Sequence, residues 1–195
     1  MTLPEPPPPR GRVAQARRNR ASLIAAATRA FSSGDRRVSL ESIAEGAGVG
    51  IGTLYRHFPT REALVEAVYH DQIERLREGA REMLAIHAPA VALRLWMDLF
   101  MDWAVAKHGM IDTLRVVISS GAIEFDQMRA ELTAGVGEFI GAGGATGDLR
   151  TDVNPTDVAA TLAGILAVAG EPEQHEQATR MLDLLMDALR PTPAL

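Results

Sequence analysis

The sequence contains no cysteine among its 195 residues. This absence excludes disulfide bonds and metal sites that depend on thiolate ligands. It also lacks a long apolar run, because its longest uncharged apolar stretch, residues 158–170, is shorter than the roughly 20 residues of a membrane-spanning helix. The first nine residues hold five prolines and nothing like the hydrophobic segment of a secretory signal. The sequence therefore predicts a soluble, cytoplasmic protein without a membrane partner.

Alternating runs of β-branched residues are scarce, and no internal repeat is visible. From about residue 16 onward the apolar residues instead recur every three or four positions, which predicts an all-α protein with about nine helices. A hydrophobic content of 47% with 23% charged residues is typical of a globular chain with a buried core. Several residues carry typical helix-start signals, namely Ser39, Thr60, Pro89, Asn154 and Pro172.

Charge is divided unevenly along the chain. Residues 10–61 contain ten arginines and three acidic residues, a net charge of +7. Residues 62–195 contain ten basic and 21 acidic residues, a net charge of −11, and Glu5 completes the overall −5. A basic segment on an acidic body favours a polyanion partner for the N-terminal third alone, although a solvated basic surface would give the same pattern.

Residues 38–58 have the pattern of a helix-turn-helix. Ala44 is small enough for two short helices to cross closely, and Gly48 tolerates the positive φ that a tight turn needs. Three apolar residues can anchor both helices to the preceding helix through Phe31: Ile43, Val49 and Leu54. A second helix anchored in this way can enter the major groove of DNA with its exposed side. The residues at or near that side are Gly50, Ile51, Gly52, Thr53, Tyr55, Arg56 and His57.

The string Gly-Thr-Leu-Tyr-Arg-His-Phe at 52–58, followed by Thr-Arg-Glu-Ala-Leu at 60–64, resembles the TetR family of transcriptional regulators. The likeness is detailed from Arg20 to Tyr69. Beyond that it is limited to helical layout and length, with a looser similarity to the C-terminal domains of actinobacterial members. The resemblance implies a repressor that binds a palindromic double-stranded DNA operator as a homodimer and is released by an unidentified small-molecule effector.

The resemblance also implies roles for individual residues. Ser39 corresponds to a phosphate-contacting helix cap, Tyr55 and His57 to phosphate and sugar contacts, and Arg61 to a basic residue that holds the DNA backbone. The positions of base readers are occupied by Gly50, Ile51, Thr53 and Arg56, and Gly52 permits close backbone approach. Simple capping by Ser39, and packing of Tyr55 and His57 between helices, are the alternatives.

Three segments follow from this organisation: a disordered Pro/Arg-rich tail at 1–15, a DNA-binding domain at 16–70 with its helix-turn-helix at about 38–58, and an effector-binding and dimerisation domain at 71–195. For the tail, its composition favours an inert spacer over an arm that enters a DNA groove.

Large apolar side chains are concentrated in residues 88–139, where they predict either an effector pocket or ordinary core. The candidate pocket residues are Trp96, Phe100, Trp103, His108, Arg115 and Ile118. Apolar stripes on the last two helices predict a dimer interface, with intramolecular packing as the alternative. The candidate interface residues are Leu162, Leu166, Met181, Leu182 and Leu185.

An enzyme is the rival hypothesis from another class. Glu66 with His70 and Glu171 with His175 are spaced four residues apart, whereas helical-bundle metal sites use Glu-x-x-His spacing. No nucleophile motif or phosphate-binding loop is present. We therefore expect no catalytic residue, metal site or cofactor. A helical interaction module that does not bind DNA is the remaining alternative.

Overall fold

The computed structural model describes residues 10–33, 38–123, 125–168 and 172–191. Within these ranges the chain forms nine helices and no strand, which confirms the all-α prediction. The helices are α1 (Arg10–Ser32), α2 (Leu40–Gly46), α3 (Ile51–His57), α4 (Arg61–Ile86), α5 (Pro89–Gly109), α6 (Ile111–Ser119), α7 (Phe125–Thr146), α8 (Pro155–Val168) and α9 (Pro172–Ala188).

The helix starts are those predicted from the sequence. Side-chain oxygens of Ser39, Thr60 and Asn154 accept hydrogen bonds from backbone N–H groups two or three residues later, at 3.0, 3.2 and 2.9 Å respectively. Pro89 and Pro172 occupy the first positions of α5 and α9. The first turn of a helix leaves backbone N–H groups unpaired. The Ser, Thr and Asn side chains accept hydrogen bonds from these groups, and proline has no N–H group to leave unpaired.

The first helix begins earlier than predicted. Residues 10–15 belong to α1, so the prediction that the disordered tail extends to residue 15 is wrong for these six. Arginine, alanine and glutamine favour helix, and adding residues to an existing helix avoids the cost of nucleation. The rest of the predicted tail, residues 1–9, lies outside the described residues.

One continuous core extends from Leu23 in α1 to Leu189 just beyond α9. The central helix is α5, which packs against α1, α4, α7, α8 and α9. Helix α4 packs against α1, α5, α6 and α7. The predicted domain boundary at residue 70 falls inside α4, so this helix is shared by the DNA-binding and effector-binding segments.

Candidate functional site

Residues 39–57 form two short helices joined by a tight turn. Gly48 in this turn has a φ of 68°, a left-handed conformation that glycine adopts without a Cβ penalty. Ala44 is buried, and its carbonyl accepts a hydrogen bond from the Val49 N–H at 3.0 Å. The predicted helix-turn-helix, with Ala44 at the crossing and Gly48 at the turn, is confirmed.

Anchoring of these helices determines which face of α3 is free. Phe31, Ile43 and Leu54 are all at most 1% exposed, and Val49 packs against the same core. Burial of these apolar side chains against α1 fixes the rotation of α3 about its own axis. The opposite face of α3 is therefore directed outward.

The outward face of α3 has few side chains at its start and two long ones near its end. Gly50 and Gly52 are exposed, with open space where a Cβ would lie. Tyr55 is 46% exposed, and Arg56 is exposed as well. This surface suits close backbone approach at one end and polar contacts at the other.

Arg56 lies back along α3 in the free chain. Its Nε donates to the Gly52 carbonyl at 3.1 Å, and its Nη2 donates to Thr53 Oγ1 at 3.4 Å. Both hydrogen bonds are exposed, so the guanidinium can exchange them for the O6 and N7 acceptors of a guanine. Ile51 and Thr53 are only half-exposed, and Ile51 also packs against the core. Arg56 is therefore the better placed of the predicted base readers.

Ser39 and His57 flank the exposed face of α3. Ser39 is exposed and its Oγ accepts the capping hydrogen bond from Ser42, which leaves the hydroxyl proton for donation to a phosphate. His57 is half-buried and its ring lies 6.3 Å from that of Phe58. Ser39 is thus confirmed as a cap, and its DNA contact stays a prediction, as does that of His57.

The Arg61 side chain makes contacts within the chain that the sequence did not predict. Its Nη1 donates to the Val38 carbonyl at 2.7 Å, its Nε donates to Thr113 Oγ1 at 3.2 Å, and its Cζ lies 5.5 Å from the centre of the Phe31 ring. The guanidinium thus joins α1, the residue before the α2 cap, and α6. In the free chain the guanidinium is therefore held by acceptors within the molecule, and its contact with the DNA backbone stays a prediction.

Beside Arg61, the corner between α5 and α6 packs directly on α1. A Cβ at Gly109 would lie 2.0 Å from the carbonyl oxygen of Phe31, so only glycine allows this approach of the two backbones. A cleft of about 550 Å³ adjoins the corner and is lined by Val38, Ser39, Arg61 and residues 108–113. The corner thus makes direct backbone contact with α1, the helix against which α2 and α3 pack.

Two cavities lie in the C-terminal part of the molecule, separated by Phe100 and Leu132, which line both. The first, about 130 Å³, lies between α4, α5 and α7. Its lining includes Ile73, Leu76, Arg77, Ala80, Arg81, Trp96, Glu131 and Gly135. The second, about 250 Å³, lies mainly between α5 and α8 and is lined in part by Trp103, Lys107, His108 and Leu166.

The predicted pocket residues divide between these cavities and the surface. Four of them line one or both cavities: Trp96, Phe100, Trp103 and His108. Arg115 and Ile118 line neither: Arg115 is exposed and lies 3.6 Å from Asp112, and Ile118 packs against the core. The structure does not bring these two to either cavity, because the buried residues of α6 are Leu114 and Val117. The sequence analysis did not predict that residues of α4 line the first cavity. The apolar stripe through Leu76 was a signal for it, because such a stripe must pack against other helices.

Two buried polar groups near the cavities have no hydrogen-bond partner within the described residues, the Tyr69 hydroxyl and the Trp103 indole N–H. Their rings are 6.3 Å apart. Burial, with the nearby Glu131 carboxylate, raises the pKa of Tyr69 to about 12. Burial also lowers the pKa of Lys107, whose Nζ lies 5.0 Å from the centre of the Trp103 ring. A buried donor without an acceptor costs about 1–3 kcal/mol, and Trp103, which lines the second cavity, is therefore a candidate to bind a polar ligand atom.

The predicted dimer residues are mostly core. Leu162, Leu166 and Leu182 are 0%, 6% and 0% exposed within a single chain, so these three do not form a surface for a second copy. Met181 and Leu185 are half-buried. A large apolar side chain that does face solvent on α9 is Leu184, 68% exposed. The exposed residues of α8, which packs against α9, include four small ones, Ala160, Ala163, Gly164 and Ala167.

The described residues contain neither a candidate metal site nor a candidate membrane span. No group of three or more His, Asp or Glu side chains within residues 10–33, 38–123, 125–168 and 172–191 is arranged to hold a metal ion. In the same ranges, no helix combines the length and hydrophobicity needed to cross a bilayer.

Comparison with known proteins gave matches over both parts of the chain. Residues 23–68 match the family described as bacterial regulatory proteins, tetR family, and residues 88–191 match transcriptional regulator SbtR-like, C-terminal domain. A TetR transcriptional regulator from Streptomyces coelicolor is 46% identical, with a TM-score of 0.81 over 89% of this chain and 99% of that chain. A TetR regulatory protein from Mycobacterium vanbaalenii is 32% identical, with a TM-score of 0.70 over 91% and 98%. The probable HTH-type transcriptional regulator ArpR of Pseudomonas putida is 25% identical over 201 residues, 93% of this chain and 96% of that protein.

Proposed function

The chain belongs to the TetR family of transcriptional regulators, and from this premise we propose that it is a homodimeric repressor that a small-molecule effector releases from a palindromic operator. DNA binding and transcriptional regulation are the function of its family. The palindromic operator, the small-molecule effector and the homodimer are what we propose in addition. We also propose a cytoplasmic location, where a regulator of this bacterial family would meet its operator, and no catalytic activity.

Helix α4 runs from the helix-turn-helix to the first cavity, and this supports the proposal of an effector. Near its start, Arg61 bonds to Val38, directly before the α2 cap. About three to five turns later, Ile73, Leu76 and Ala80 of the same helix line the first cavity. A ligand in this cavity therefore contacts the helix that holds the helix-turn-helix.

Release requires only that the effector prefers one position of α4. Two α3 helices must lie about one DNA turn apart, roughly 34–36 Å, to occupy both half-sites. A ligand that favours a different α4 position favours a dimer with the wrong spacing, and its differential affinity for the two arrangements sets the size of the effect. Typical coupling free energies of about 1–3 kcal/mol correspond to roughly 5- to 150-fold in operator affinity.

Reciprocity gives a prediction for this coupling. A compound that raises the melting temperature of the protein should bind about 5- to 150-fold more weakly when operator is present. Calorimetric titration with and without operator measures this ratio. The variant Ala134→Phe places a ring at the rim of the first cavity and should abolish the binding. Equal affinity in both titrations would refute the allosteric role of that compound.

We propose that base and backbone contacts are divided between neighbouring residues of α3. Replacing Tyr55 with phenylalanine removes one hydroxyl donor and should weaken binding to all operator sequences by the same factor, about tenfold or more for a charge-assisted hydrogen bond. Replacing Arg56 with alanine should instead relax specificity at one position of each half-site, by about 1–3 kcal/mol.

Gel-shift titration of genomic fragments, followed by footprinting of those retarded, measures both effects and tests the regulator function itself. Arg115→Ala is the control, because it removes the same charge from an exposed position on α6. A protein that retards no fragment specifically would favour the interaction module instead. An Arg56→Ala variant with unchanged sequence preference would refute its role as a base reader.

The homodimer is proposed to form through the exposed sides of α8 and α9. The small residues of α8 allow a second helix to approach closely, and Leu184 with the half-buried Met181 and Leu185 supplies apolar area. On the neighbouring side of α9, Asp183 accepts a hydrogen bond from Arg94 of α5 at 3.0 Å, which marks the side that packs within the chain. An isologous contact of this kind supplies the two-fold symmetry that a palindrome requires.

A further inference from the structure

The N-terminal half of α1 has no role in the core. Its first buried residue is Leu23, and residues 11–18 are all exposed. From Arg10 to Leu23 a helix extends about 20 Å at 1.5 Å per residue. A short helix without tertiary packing is only marginally stable in water, so this segment offers a surface without contributing to the fold.

This surface has one sign of charge. The 23 residues of α1 include six arginines and no acidic residue. Four of the arginines, at positions 12, 17, 18 and 20, are exposed within its first half. Mutual repulsion between like charges on a helix is unfavourable, and a polyanion would relieve it. Arginine also forms paired hydrogen bonds with phosphate oxygens.

The basic segment passes the end of α3. The Cζ of Arg20 lies 5.1 Å from the centre of the Phe58 ring, and Phe58 directly follows α3. Arg12 is eleven residues, about three turns, before the buried Leu23, and Arg17 is seven residues, about two turns, before the buried Ile24. Around the helix axis, Arg12 and Arg17 lie about 80° and 60° to either side of Arg20, so both belong to the half of α1 that carries the Arg20–Phe58 contact.

We propose that residues 10–20 of α1 form a basic arm that contacts the DNA backbone flanking each half-site. The arm would add sequence-independent affinity to the sequence-dependent contacts of α3. Arg12 lies eight residues beyond Arg20, about 12 Å along the helix. At about 3.4 Å per base pair, the arm reaches three to four base pairs beyond α3.

The first test varies the length of the DNA. Operator duplexes of increasing length are titrated with the full chain, starting from the footprint of the two α3 helices alone. Affinity should rise until each flank has gained about four base pairs, the reach of the arm, and should not rise further. The same series with shuffled flanking sequences should give the same curve, because backbone contacts do not read bases.

The second test varies single charges on α1. Arg12→Gln and Arg17→Gln each remove one contact per subunit, so each should lower the salt slope of a dimer by about 1.8 units. The ratio of wild-type to variant affinity should then shrink about tenfold between about 50 and about 200 mM salt. Glutamine and arginine have similar helix propensities, so α1 is retained.

Arg18→Gln is the matched control. Arg18 is eleven residues before the exposed Arg29, so it lies on the outer side of α1, and its Nη2 donates to Gln15 at 2.7 Å. The variant has the same net charge as the other two but should keep the wild-type salt slope. If all three variants behave alike, or if flank length has no effect, the arm does not contact DNA. A wild type that binds no fragment would contradict the regulator function as well.

Discussion

Replacing Leu182 with arginine should unfold the protein, whereas replacing Leu184 with arginine should leave folded monomers. The two residues are two positions apart on α9, yet Leu182 is 0% exposed and Leu184 is 68% exposed in a single chain. An unpaired charge buried at Leu182 costs about 3–5 kcal/mol, a large part of the 5–15 kcal/mol that typically stabilises a domain. An arginine at Leu184 is solvated in the monomer and is buried only if two copies meet there.

Light scattering and circular dichroism separate these outcomes. The Leu184→Arg variant should keep its helical spectrum while its mass falls to that of one chain. Its operator affinity should fall by about 10²–10⁴, the usual gain from linking two binding sites. A Leu184→Arg variant that remains a dimer with wild-type operator affinity would show that the interface lies elsewhere.

Adding a single methyl group at Gly109 should disturb DNA binding more than folding. In Gly109→Ala the new Cβ would lie 2.0 Å from the Phe31 carbonyl oxygen, and α1 must move away from α5 to accommodate it. Overpacking of this kind costs about 1–3 kcal/mol per site. Since α1 carries the helix-turn-helix and a dimer contains two such sites, restoring the operator spacing costs about 2–6 kcal/mol, at least roughly thirtyfold in affinity.

Gly141→Ala is the matched control for this prediction. A Cβ at Gly141 meets nothing within 4 Å, and the residue is exposed within α7. Alanine there should raise the free energy of unfolding by about 0.5–1 kcal/mol and leave operator affinity unchanged. Thermal unfolding and gel-shift titration measure both quantities. If Gly109→Ala bound operator as Gly141→Ala does, the α5–α6 corner would not set the position of the helix-turn-helix.

Local signals in the sequence determined the helix boundaries and the helix-turn-helix. Ser39, Thr60 and Asn154 act as caps through hydrogen bonds that span at most three residues. Gly48 adopts its positive φ because of the turn that immediately surrounds it. Features that depend only on neighbours in the sequence can be predicted without knowledge of the fold. The charge of +7 on residues 10–61 can also be read directly from the sequence, because it depends on composition alone.

Only the tertiary structure decided which partner each helix face meets. Helical periodicity identified Leu162, Leu166 and Leu182 as apolar, but an apolar stripe looks the same whether it packs within the chain or against a second copy. The sequence position of Arg61 predicts a contact with the DNA backbone, and only the fold shows that Thr113, 52 residues away, and Val38 accept hydrogen bonds from its guanidinium.

The cavity-lining residues of α4 and the close approach at Gly109 could not be predicted from the sequence for the same reason. Leu76 and Ala80 line the first cavity only because α5 and α7 cover that part of α4. Gly109 ends α5, as its position in the sequence predicts, but its contact with Phe31 joins residues 78 positions apart. The period of the apolar residues in the sequence determines which of them share a helix face. What that face contacts is determined by packing between residues far apart in the sequence, and no local pattern reveals it.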